Sequence, residues 1–145
     1  MTPETERDTF EYALLRVVPS IERGESINAG VLLYCRELDF LGARVHLDPQ
    51  RLAALDHDAD AEAIRRALAA VVEQCADGTA ATARLAGPAA AEDRGRRFRR
   101  LTAPRSTVLQ PGPVHTGLTT DPAATVDHLL AVLVLPRGAR STASG

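Results

Sequence analysis

The chain has no lysine and no tryptophan, a single methionine, and an aromatic content of only 3%. All 17 of its basic residues are therefore arginine. That excludes Schiff-base catalysis, a P-loop lysine and a lysine general base. The arginine bias, together with abundant alanine, points to a genome of high GC content. Scarce aromatics predict a small core of leucine, valine and alanine. Cysteine is scarce too: only Cys35 and Cys75 are present, with no C-x-x-C and no metal-ligand neighbour at a familiar spacing. They read as two buried free thiols in a reducing cytosol.

No apolar run approaches the roughly 18 residues that a membrane span needs. The longest, Leu129 to Leu135, is far shorter. Met1 to Asp8 is polar and acidic, unlike a signal peptide, so a cytoplasmic location is expected. With a net charge of −2, no global field drives the chain toward nucleic acid or acidic membranes. His46, His57, His115 and His128 are scattered and form no H-x-x-x-H pair, so neither a metal site nor a cofactor is expected.

What is present suits one small domain: 145 residues, 45% of them hydrophobic. Residues 10–18 read as a strand with Tyr12, Leu14, Arg16 and Val18 on one face and Ala13, Leu15 and Val17 on the other. Residues 27–35 read as a second strand, apolar on both faces, with Gly30 marking a bulge or a close backbone approach. Both are expected to be central, and 40–47 to complete an antiparallel meander. In that third strand Leu41, Ala43, Val45 and Leu47 face in, and Arg44 and His46 face out or into a polar groove. A short helical turn is expected through Leu55. Asp58 or Asp60 can cap a helix over 60–76 with the stripe Ile64, Leu68, Val71 or Val72, and Cys75, stopped near Gly78. Residues 79–93 read as a connection and 106–110 as a short strand. Asp121 and Pro122 begin a last helix over 122–135, its stripe Leu129, Leu130, Leu133 and Val134. The fold class that follows is α+β, a single small domain over 10–136. Its antiparallel sheet of three or more strands is covered by two main helices, with a flexible start over 1–9 and a disordered tail over 137–145.

Three polar segments stand out. Arg105, Ser106 and Thr107, with Gln110, His115 and Thr116, are pinned by Pro111 and Pro113. They combine a guanidinium, hydroxyls, an amide and an imidazole that can bind a phosphate or carboxylate, and His115 is the candidate acid or base. The competing reading is a rigid loop whose polar side chains bond its own backbone. Glu22, Arg23, Gly24, Glu25 and Asn28 form a second candidate, opposed by a solvated hairpin loop. The third is the run Arg94, Arg96, Arg97, Arg99, Arg100 and Arg105. It reads as a solvated face pairing with local acids such as Glu92 and Asp93, or as a contact for an acidic protein or small anion. Nucleic acid is the weakest reading, since only Phe98 supplies an aromatic and the net charge is negative. A Cys35–His46 dyad fails on register, because His46 pairs near Ala29 to Val31.

The runs Tyr12-Ala13-Leu14-Leu15-Arg16-Val17-Val18-Pro19, Glu22-Arg23-Gly24-Glu25 and Asn28-Ala29-Gly30-Val31-Leu32-Leu33 resemble the opening of the bacterial domain of unknown function 3037 family. Phe98, Leu101-Thr102-Ala103-Pro104-Arg105-Ser106-Thr107, Gln110-Pro111 and Pro113-Val114-His115-Thr116-Gly117-Leu118 resemble its later motif. The resemblance covers about residues 10–135. The chain departs from the pattern at Arg100, where an aromatic is expected, and at Gly112, where serine is expected. The family carries no established activity. Its members are encoded beside HipA-type serine/threonine kinases, so the resemblance implies such a kinase as a partner.

Two functions remain open. One is a non-enzymatic accessory or binding module, partnered with a HipA-like kinase. The other is a small enzyme or sensor that takes an anionic metabolite or nucleotide through Arg16, Glu22, Asn28, Arg105, Ser106, Thr107, Gln110, His115 and Thr116. Convergence of Arg16, Arg105, Ser106 and His115 in one concave site with the 22–28 loop favours the second; a spread over a convex surface favours the first.

Overall fold

The computed structural model describes residues 6–76 and 89–137, with side chains placed from 94 onward in the second stretch. Of the expected connection over 79–93, residues 79–88 lie outside the described residues, as do the stop at Gly78, the first five residues and the tail from 138, while 89–93 belong to a helix instead.

Five strands, β1 (Asp8–Val17), β2 (Ile27–Cys35), β3 (Phe40–Val45), β4 (Leu109–Pro111) and β5 (His115–Thr119), form one antiparallel sheet. Four helices pack on it: α1 (Pro49–Leu55), α2 (Ala61–Cys75), α3 (Ala89–Leu101) and α4 (Pro122–Leu133). The strand order is β3-β2-β1-β4, and β5 also pairs with β1, so the two most apolar strands are central as expected. β4 and β5 share the same outer side of β1, β4 along Leu15–Val17 and β5 along Asp8–Tyr12. The chain is a single small α+β domain.

The period of two along β1 divides its residues between two layers. Leu15 and Val17 join Ile27, Ala29, Leu32, Tyr34 and Ala43 beneath α1, α2 and α3, which contribute Leu52, Ile64, Leu68, Phe98 and Leu101. On the second face Phe10, Val31, Leu33 and Cys35 meet Val126 and Val134, flanked by Tyr12, Leu14 and Leu130. α4 packs mainly on β2 and β3. Its cover therefore thins out over β1, β4 and β5.

Capping follows the sequence. The Asp60 carboxylate accepts from the Ala63 N–H, and Asp121 does the same for Ala124, ahead of Pro122. Asp48 caps α1 through the Gln50 and Arg51 N–H groups. The register slips between Leu15 and Arg16: Leu15 faces Gly30 but Arg16 faces Asn28, leaving Ala29 as the extra residue of a bulge.

α3 is the main departure from the expected layout. The arginine run is a third principal helix, and it is not merely solvated. Arg94 approaches Asp39 at 3.7 Å. Arg97 donates to the Gln74, Cys75 and Ala76 carbonyls, the last at 2.7 Å, and so closes the C-terminus of α2. Arg99 grips both oxygens of Glu11 on β1, at 2.8 and 3.0 Å. Phe98 between them is fully buried and stacks on Tyr34 at 5.6 Å. The arginines thus tie α3 to the sheet and to α2 through partners remote in sequence.

Both thiols are buried and free. Burial pushes Cys75 up to about 11 and raises Cys35 as well. Neither thiol is therefore expected to react with an aromatic disulfide reagent at pH 8 until the chain unfolds. The raised Cys75 value also gives a sign. Its contribution to stability is whole below the ordinary thiol value of about 8.5 and is lost as pH rises toward the folded value. Denaturation curves collected across that alkaline range check this.

Candidate functional site

The bulge at Ala29 decides what stands beside Arg16. Regular pairing would set Ala29 opposite Arg16 and turn Asn28 to the other face. With the extra residue, Asn28 is Arg16's partner on β2, and Gln110 is its partner on β4. Asn28, Arg16 and Gln110 therefore form one row across three adjacent strands on the face that α4 leaves partly open.

Each end of the row is held. The Asn28 amide donates to the Leu133 carbonyl at 3.1 Å, at the C-terminal end of α4. The Gln110 amide donates to the Thr107 carbonyl, and the Thr107 hydroxyl to the Leu109 carbonyl. Both amides thus spend an N–H on backbone. Arg16 in the middle is half-buried and has no hydrogen bond or ion pair among the described residues. Its guanidinium lies across Gly112, where a Cβ would stand 3.2 Å from Cζ. Gly112 is itself fixed, its N–H donating to the Leu14 carbonyl at 2.8 Å. The missing side chain lets Arg16 cross the outer strand. The result is a cation with free donors on an open sheet face, suited to a carboxylate or phosphate.

His115 stands on the same face farther along. It pairs with Tyr12, and the two rings lie 5.3 Å apart. Its side chain is exposed, with no acid hydrogen-bonded to it among the described residues. Thr116 points to the opposite face and lines a separate polar cleft of about 400 Å³ with Arg7, Glu11, Tyr34 and Arg36. Arg105 donates to the Arg100 carbonyl and finishes the C-terminus of α3. Ser106 is exposed in the loop before β4, and Glu22 is exposed in the β1–β2 turn, where Arg23 pairs with Glu25 instead.

Of the residues singled out in the sequence, the fold brings together Arg16, Asn28, Gln110 and Thr107. Arg105 and Ser106 lie in the loop before β4, at the Val17 end of β1, and His115 pairs with Tyr12 farther toward its start. Gly112 and Tyr12 complete the surface. The departure from serine at Gly112 was the available signal for the first. For Arg105→Ala we expect normal folding and a loss below about 1 kcal/mol in urea denaturation, since one exposed hydrogen bond is removed.

A family model described as protein of unknown function (DUF3037) matches residues 12–134. The chain belongs to this family. The match takes in the whole row, both glycines of the outer strands and α4. No curated protein and no solved structure matches the chain. No helix among the described residues is long and apolar enough to cross a membrane, and no group of three or more His, Cys, Asp or Glu able to hold a metal occurs among them.

Proposed function

We propose that this DUF3037 domain is a non-enzymatic binding module whose contact surface is the open β1–β4–β5 side of the sheet, with Arg16 as its anchor. One observation carries this: Arg16, half-buried on a central strand, lays its guanidinium over Gly112 with no hydrogen bond or ion pair to it among the described residues. Its N–H donors are open to a negative group supplied by another molecule. The spread of Arg105, Ser106, Glu22 and Thr116 away from this row supports a surface rather than a catalytic pocket. The first partner to try is the one implied by the family resemblance, a HipA-type serine/threonine kinase.

The test is a tagged pull-down from the native host, with nuclease, using wild type and Arg16→Ala. One stoichiometric protein, kept by wild type after nuclease and lost from the variant, supports the proposal. A partner held equally by both removes Arg16 from the contact.

A second reading is a sensor of a small anionic metabolite or nucleotide, for which the polar cleft beside Thr116 offers Arg7 and Arg36, set among the acids Asp8, Glu11 and Glu37. A thermal-shift screen of nucleotides and organic phosphates checks this. Stabilisation that survives Arg16→Ala but not Arg36→Ala assigns the ligand to that cleft.

A further inference from the structure

The outer edge of the sheet is unguarded along β5. Among the described residues this strand pairs with β1 alone, so one row of its backbone N–H and C=O groups has no strand partner there. Proteins usually blunt such an edge with charged side chains or proline. Here residues 109–119 contain no Asp, Glu or Arg, although charged residues make up 25% of the chain. Proline guards only the first part, at Pro111 and Pro113, which offer no N–H. Beyond them His115, Thr116 and Leu118 are exposed, Leu118 at 58% of its surface. On the open face the Arg16 guanidinium reaches over Gly112, just ahead of β5.

We propose that β5 accepts an extended segment of a partner protein as an added strand, and that an acidic residue flanking the paired stretch sits on Arg16. This deepens the binding-module reading and rests on it. Backbone pairing along 115–119 supplies the affinity, and the carboxylate supplies the specificity. Gly112 precedes His115 by three residues, or roughly 10 Å of extended chain. The acidic side chain therefore lies about three residues beyond the paired stretch, where Pro113 has ended the ladder. An acid suits the site because the guanidinium has no partner among the described residues; a basic or neutral segment would leave it unpaired.

The test uses the full chain. A displayed library of random dodecapeptides is selected on the immobilised protein, and enriched peptides are synthesised. Their affinities are measured against wild type, Arg16→Gln and Leu118→Glu, each checked for an unchanged melting temperature. Hydrogen exchange is followed across residues 115–119. The expected peptides are β-prone with an Asp or Glu beside the β-prone run, slow exchange along β5, and bind Arg16→Gln about tenfold more weakly. Enrichment of peptides without an acid, equal affinity for Arg16→Gln, unchanged exchange along β5 or no enrichment overturns the proposal. A concentration-dependent dimer that dissociates on Leu118→Glu assigns the edge to a second copy and also overturns it. If a host partner still depends on Arg16 while β5 exchange is unaffected, the edge fails and the module reading stands. If the partner ignores Arg16, both fail.

Discussion

Replacing Phe98 by alanine is expected to destabilise the domain by about 3–5 kcal/mol, the largest effect of any single substitution considered. The ring is fully buried among Leu32, Leu68 and Leu101, and it stacks on Tyr34. Leucine, valine and alanine fill most of the core, and a close-packed interior relaxes only partly into the space that the ring leaves. The consequence extends beyond the cavity. Phe98 lies between Arg97, which closes α2, and Arg99, which grips Glu11 on β1. Loosening α3 therefore loosens both attachments. Urea denaturation with a two-state fit measures the change. A loss below about 1 kcal/mol would mean that the layer under α3 repacks.

The second large effect is expected at Gly30. A Cβ there would meet the Arg44 carbonyl oxygen and Val45 Cγ1, each at 3.0 Å, and Leu15 Cδ1 at 3.1 Å. The carbonyl belongs to the neighbouring strand and cannot rotate away. Gly30→Val is therefore expected to cost about 1–3 kcal/mol through overpacking. It should also disturb the adjacent bulge, and the bulge is what sets Asn28 beside Arg16. Amide chemical shifts at Asn28 and Leu133, the two residues joined across that corner, should move in this variant. Wild-type stability and unchanged shifts would show that β2 absorbs the branch elsewhere and that the bulge is not pinned at Gly30.

Much of the architecture was legible because it rests on local pattern. Strands β1 and β2 were marked by dense apolar runs, α2 and α4 by their stripes and by the Asp60 and Asp121 caps, and the bulge by Gly30. β5 was missed for a physical reason. Its residues His115 to Thr119 carry only one large apolar side chain, and that one is exposed, so no alternation betrays the strand. Its place comes from pairing with Asp8–Tyr12, more than a hundred residues earlier. α3 was read as a charged face, and three of the partners that tie it down, Glu11, Asp39 and the end of α2, are remote in sequence; the expected local partners Glu92 and Asp93 have side chains outside the described residues. The row Asn28–Arg16–Gln110 lay inside the residues singled out, but its membership depended on a register slip and on a strand from the far end of the chain. Arg105 and Ser106, the most conspicuous pair in sequence, end a helix and occupy a loop.

One paired measurement tests the central claim most directly. The open sheet side and the arginine helix both offer arginine for contact. Arg16 stands on the first, and Arg96 and Arg100 are exposed on the second, with no side-chain hydrogen bond or ion pair among the described residues. The tagged chain, Arg16→Glu and the double variant Arg96→Glu/Arg100→Glu are each used to capture the host partner after nuclease treatment. The account predicts that Arg16→Glu alone loses it, at unchanged melting temperature. Loss from the helix variant with full retention by Arg16→Glu would contradict the account and move the contact surface to α3.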